Sequence, residues 1–192
     1  MTTRTLAPDP AYDASAQAVV ACLASGLDDQ LRRLEASVSD LSVEALEWQS
    51  APGMNAIGML LAHLALVEVW WIVVAPQGKE YRDGEATYRE TLGIGSGDDG
   101  IPLAAGGAFP EALRGRTAAD YLAMLRRARA AVHAALHGWT DAGLDALVQR
   151  PRAAVSKRWI LYHVLEHFAA HFGQILLIRH QLSDAGLAAP LP

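Results

Sequence analysis

His163, His167 and His171 stand four residues apart within Trp159 to Gln174, a run that contains no proline. That spacing stacks the three imidazoles on one helix face, and an i, i+4 pair presents two of them to one transition-metal ion. With a rise of about 1.5 Å per residue the outer two lie about 12 Å apart along the axis, so only an adjacent pair can share an ion. Spacing alone leaves His163 with His167, or His167 with His171. A zinc-like catalytic site takes about three protein ligands and an open position, so a partner must come from elsewhere in the chain. His63 is the candidate: it is the one histidine in the apolar stretch 56–76, where its ring nitrogens need partners in a water-poor setting. Glu68 and Glu166 are the acids placed to accept from a ligand imidazole or to act as a general base, although a salt-bridged or solvated glutamate is the commoner fate. His133 and His137 share the spacing, but in an Ala-rich segment near arginines and a helix C-terminus, which favours a partly exposed role. His180, next to Arg179, reads as solvated.

The elements that must position these residues are helical. Asp13 is placed to cap a first helix to about Ser37, with Val19, Val20, Leu23, Leu27, Leu31 and Leu34 on its apolar face and Cys22 buried beside them. Ser50-Ala51-Pro52-Gly53 breaks the chain, and Asn55 is placed to cap the helix that carries His63 and ends before Pro76. Residues 76–116 hold most of the glycine and read as a long connection with short helical pieces. Gly93-x-Gly95 lacks the preceding strand and the following Gly-Lys-Ser/Thr of a phosphate loop and reads as flexible loop. Thr117 and Asp120 form a capping box for a third helix to Gly138, Thr140 caps a short turn, Pro151 breaks the chain, and Ser156 caps a last helix to about Ser183. No segment alternates with period two long enough to build a sheet. Four long helices and one long crossover predict an all-α fold, a four-helix bundle forming a single domain over 1–192.

Composition narrows the function. With 192 residues, 52% apolar and 19% charged, the chain can bury a substantial core. A net charge of −5 offers no general attraction to nucleic acid or anionic lipid, and Arg126-Arg127-x-Arg129 and Arg150-x-Arg152 read as solvated charges. His63 and Glu68 in the middle of the apolar stretch argue for a core helix over a membrane span. A single cysteine, and no long apolar run at the N-terminus, lead to the expectation of a cytoplasmic protein. The tryptophans Trp70, Trp71 and Trp159, with Phe172, are expected to fill the core.

Asn55-x-Ile57 leading to His63-Leu64-Ala65, Glu68 and Trp71 resembles the second helix of the DinB/YfiT-like proteins. Trp159, His163, His167, His171 and Gly173-Gln174-Ile175 resemble their last helix, and Asp98-Asp99-Gly100, Arg129 and Thr140-Asp141 recur in the order of the actinobacterial-type branch. The resemblance implies an antiparallel four-helix bundle, often a homodimer, with a divalent metal held by His63, His167 and His171, and with His163 in a supporting place. It also implies a metal-dependent S-transferase that joins a low-molecular-weight thiol, bacillithiol or mycothiol, to a small electrophile. Three imidazoles suit zinc, nickel, copper or iron. Two other readings share the site: a hydrolase that uses metal-bound hydroxide with Glu68 or Glu166 as base, and a non-enzymatic, stress-associated dimer that binds metal or a small ligand.

Overall fold

The computed structural model describes residues 5–150 and 153–189; of the positions read above, Met1 to Arg4, Pro151, Arg152 and Pro190 to Pro192 lie outside them. The first helix, α1 (Ala18–Val38), buries Val20, Ala24, Leu27, Leu31, Leu34 and Val38. This register turns Val19 outward and leaves Cys22 exposed, contrary to the buried thiol expected, because Cys22 lies about 200° around the helix from Val20. Asp13 does not cap α1. It closes a turn in which Gln17 N–H donates to its carbonyl at 2.7 Å, while the first free amides of α1, Val19 and Val20, donate to the Asp141 carboxylate at 3.0 to 3.1 Å. The Gln17 amide donates in turn to the carbonyls of His137 and Trp139, so the start of α1 and the end of a later helix are clamped together.

After the short α2 (Val43–Glu47) comes α3 (Ile57–Val69), which opens without a side-chain cap; Asn55 does not supply one. Every α3 residue except His63 is buried, which explains a sequence that is apolar on all sides. The stretch Ile57–Gln77 has the length and, in its most apolar 18-residue window, the mean hydropathy, 2.1, of a membrane span, yet 83% of that window is buried inside the bundle. A π-helical turn, Trp70–Val74, extends α3 and sets Trp70 and Trp71 side by side.

The connection 76–116 is packed rather than loose. It contains α4 (Glu85–Leu92), ended by Gly93 at φ +75°, and buries Leu92, Ile94, Asp99, Phe109 and Leu113. The expected flexible loop at Gly93 to Gly95 is therefore pinned by Ile94 on one side and by Glu85, which accepts from Ser96 N–H at 2.8 Å, on the other. Then α5 (Ala118–Leu136) opens with the Thr117–Asp120 capping box, and α6 (Lys157–Asp184) opens with Ser156 accepting from Trp159 N–H at 3.1 Å. Thr140 caps its turn by accepting from Gly143 N–H. Between α5 and α6, two-residue strands β1 (Leu147–Val148) and β2 (Val155–Ser156) pair antiparallel.

Side-chain pairs fix the helix directions. Glu35 meets Arg126 and Asp28 meets Arg129, so α1 and α5 run antiparallel; His63 meets His167 and Trp71 meets Trp159, so α3 and α6 do as well. Gly58 meets Tyr121 and Glu68 meets Arg129, making α3 and α5 parallel, and α1 runs parallel to α6 through Arg33–Phe172 and Asp40–Arg179. Each long helix thus has one antiparallel and one parallel neighbour. Parallel α3 and α5 are consecutive among the four long helices, which requires the long crossover that carries α4. A Cβ at Gly58 would stand 2.7 Å from Tyr121 Oη, so glycine there lets α3 and α5 approach closely.

Candidate metal centre

The antiparallel contact of α3 and α6 brings His63, His167 and His171 together. His63 Nε2 and His171 Nε2 each lie 3.1 Å from His167 Nε2, and one ligand atom from each residue lies within 4.8 Å of the others. The crossover adds Asp99, 2% exposed, whose Oδ2 is 2.8 Å from His63 Nδ1. Gln174, one turn beyond His171, places Oε1 2.9 Å from His171 Nδ1.

The outer contacts set the tautomers. A carboxylate only accepts and an amide oxygen only accepts, so His63 and His171 each carry a proton on Nδ1 and turn a bare lone pair toward His167. His167 Nε2 has at most one proton to offer two such acceptors. Burial first, then the neighbouring imidazoles of His171, His63 and His163, push the His167 pKa down to about 3, and burial lowers that of His171 as well. Extra protons are thus disfavoured on His167 and His171. Three convergent nitrogens with too few protons, beside a buried carboxylate, are a donor set that a divalent cation satisfies, with Asp99 and Gln174 as the outer partners that orient ligand imidazoles. Three imidazoles suit zinc, nickel or iron.

His163 stands outside this set. Its ring stacks on Trp159 at 4.6 Å and meets the edge of Trp71 at 5.3 Å, with 6.0 Å between its centroid and that of His167. Trp71 and Phe172 are buried as expected and Trp70 is partly covered, whereas Trp159, expected in the core, is 40% exposed, its ring stacked on His163.

Neither glutamate reaches the three nitrogens. Glu68 lies five residues after His63, on another face of α3, where it is 3% exposed and both its oxygens accept from Arg129, at 2.7 and 3.1 Å. Arg129, expected in solvent, is buried by this pair and by Asp28. Glu166 is an exposed residue with its carboxylate 3.8 Å from His163 Nδ1. His133 is half-buried, bonded to Asp28 and to Tyr12 Oη at 2.7 Å, while His137 stacks on Tyr12 and His180 is exposed. Asp9, Asp28 and His133 also converge, but the guanidinium of Arg129 already neutralises Asp28 at 2.9 Å. Asp99 was visible in sequence only as part of Asp98-Asp99-Gly100; nothing local separates it from Asp98, which turns outward to accept from Gly95 N–H.

A family model described as mycothiol-S-transferase matches residues 22–184. Among solved structures, a conserved protein from Enterococcus faecalis superposes with a TM-score of 0.63 at 15% identity, covering 84% of this chain and 95% of that one. A DinB-like protein from Bacillus cereus superposes with a TM-score of 0.57 at 18% identity, covering 88% and 95%. At these identities the two structures show the shared fold. No curated protein matches the chain.

Proposed function

The chain belongs to the mycothiol-S-transferase family of DinB-like proteins, and from there we propose that it is a divalent-metal-dependent S-transferase acting on a low-molecular-weight thiol, mycothiol in the first instance. The observation that carries the reading is the convergence of His63, His167 and His171 through Nε2, with too few protons to satisfy one another. A cation bound there supplies the positive charge that lowers a thiol pKa and makes thiolate available near neutral pH.

The chain's own residues do the rest. Asp99 holds the Nδ1 proton of His63 and Gln174 that of His171, so both rings keep a lone pair directed inward. His163, Trp159 and Trp71 form an aromatic wall beside the cluster, an apolar surface for an electrophile and a barrier to water. In the transfer the S–H bond of the thiol breaks and sulfur bonds the electrophilic carbon; the proton leaves with the displaced group, or goes to the adjacent carbon when the electrophile is a conjugated alkene. Among the described residues no carboxylate stands free beside the three nitrogens, since Asp99 is engaged by His63 and Glu68 by Arg129, and this weighs against a hydrolase that needs a general base.

The test is conjugation of mycothiol to monochlorobimane, followed by fluorescence, with protein reconstituted with zinc, nickel or iron. The reading expects turnover that needs both thiol and metal and is lost in His167→Ala. Turnover of ester or amide substrates without added thiol, with no conjugation, overturns it.

A further inference from the structure

Next to the metal centre lies a group of donors without acceptors. Arg150 follows β1 and packs its guanidinium over Trp70, 4.6 Å from the ring centroid, and over Trp71 at 5.2 Å. Its side chain is 13% exposed, and among the described residues Nη1 is buried with no hydrogen-bond partner and Nη2 reaches only Glu80 at 3.4 Å, the outer limit of a hydrogen bond. Trp70 Nε1 and Tyr88 Oη are likewise buried without partners, so three of the four such side-chain atoms among the described residues belong to one run of contacts: Arg150 on Trp70, Trp70 against Tyr81, Tyr81 against Tyr88. The run adjoins the candidate metal centre through Trp71, whose ring meets His163.

The chemistry of the missing partner follows from the donors. A guanidinium and an indole N–H donate and never accept, and the guanidinium carries a permanent charge. A covered cation whose one carboxylate partner is distant and 48% exposed is under-compensated. What fits is an oxygen acceptor with negative charge, and a planar carboxylate matches the guanidinium fork best. Glu80 marks the edge of the place such an oxygen would take: its carboxylate is shared with a capping box at the turn Tyr81–Gly84, and its contact with Arg150, at 3.4 Å, is the weaker of its two engagements and can yield.

We propose that Arg150, with the indole N–H of Trp70, forms a carboxylate-binding position beside the metal centre, occupied at its edge by Glu80 in the free protein, and that it selects electrophiles carrying a carboxylate. The proposal rests on the transferase reading for its substrate class and on the orphaned donors for its place. A ligand entering here displaces the Glu80 carboxylate from Arg150.

The experiment is titration of the purified protein with fumarate, a conjugated carboxylate, and with fumaramide, its uncharged analogue, followed by tryptophan fluorescence and calorimetry. Saturable fumarate binding is expected, weakened tenfold or more in Arg150→Gln, tightened in Glu80→Gln, and at least tenfold stronger than fumaramide binding. Glu80→Gln tests the idea without removing the buried cation, so a folding defect in Arg150→Gln does not shield it. Fumarate binding indifferent to both substitutions, as expected for a carboxylate held by a bound metal, overturns the proposal, as does equal affinity for fumaramide. Because binding and not turnover is read, fumarate binding without any thiol conjugation sinks only the transferase reading. Conjugation of uncharged electrophiles together with fumarate binding that ignores Arg150 sinks only the carboxylate position.

Discussion

Replacing Arg129 by leucine should be the most destabilising single change away from the candidate site. Glu68 is 3% exposed and, among the described residues, both its oxygens are bonded to Arg129 alone, at 2.7 and 3.1 Å, so the substitution leaves a buried carboxylate without a partner. Breaking a buried pair from one side costs about 3–5 kcal/mol, against a total stability of about 5–15 kcal/mol for a domain of this kind. Asp28, the other partner of Arg129, is 42% exposed and keeps His133, so its loss adds at most about 1 kcal/mol. With a urea dependence of about 2 kcal/mol per molar, the unfolding midpoint should fall by about 2 M. The double variant Glu68→Leu, Arg129→Leu should recover most of that loss, because well-packed apolar residues replace a buried ion pair at little cost. Urea denaturation at neutral pH, followed by far-UV circular dichroism, decides it. A midpoint shift under about 0.5 M in Arg129→Leu, or a double variant as unstable as the single one, refutes the reasoning.

Three further outcomes follow from the same geometry. His167 is held neutral when folded, with a pKa of about 3, whereas the unfolded chain takes up a proton below about pH 6.5. Metal-free protein should therefore have level stability above about pH 7 and lose it as pH falls through 6.5, by about 2 kcal/mol at pH 5 from this group alone; a melting temperature unchanged between pH 7.5 and 5 in chelator contradicts it. Asp99→Asn keeps an acceptor for His63 Nδ1–H but removes the charge, so metal affinity measured by chelator competition should drop about 10–100-fold with the helical content unchanged, and wild-type affinity would deny Asp99 its orienting role. Cys22 is exposed, so one maleimide per chain should couple to the native protein without denaturant; a thiol that reacts only after unfolding would place α1 in a different register.

What could be read from sequence was local. The Thr117–Asp120 capping box and the Ser156 and Thr140 caps each join residues three apart, so they are visible in a short window, and the structure makes all three. The four long helices and the crossover were legible from apolar spacing and from the clustering of glycine. What escaped detection depends on distant partners. The start of α1 is set by Asp141, 122 residues away, and not by nearby Asp13. Glu68 is removed from the candidate site by Arg129, 61 residues on, and Asp99 joins it only because the crossover folds back over α3. Cys22 was misplaced because α1 offers apolar residues on two overlapping stripes, one through Val19 and one through Val20, and only packing against α5 and α6 selects the second.

The three converging nitrogens of His63, His167 and His171 are expected to hold a cation. Elemental analysis of the purified, untagged protein beside His63→Ala, with metal expressed per chain, tests this most directly. Near-stoichiometric zinc, nickel or iron in the wild type, and its loss in the variant, is the expected result. Equal metal content in the two proteins, or a wild type that takes up none of the three metals on reconstitution, would contradict it.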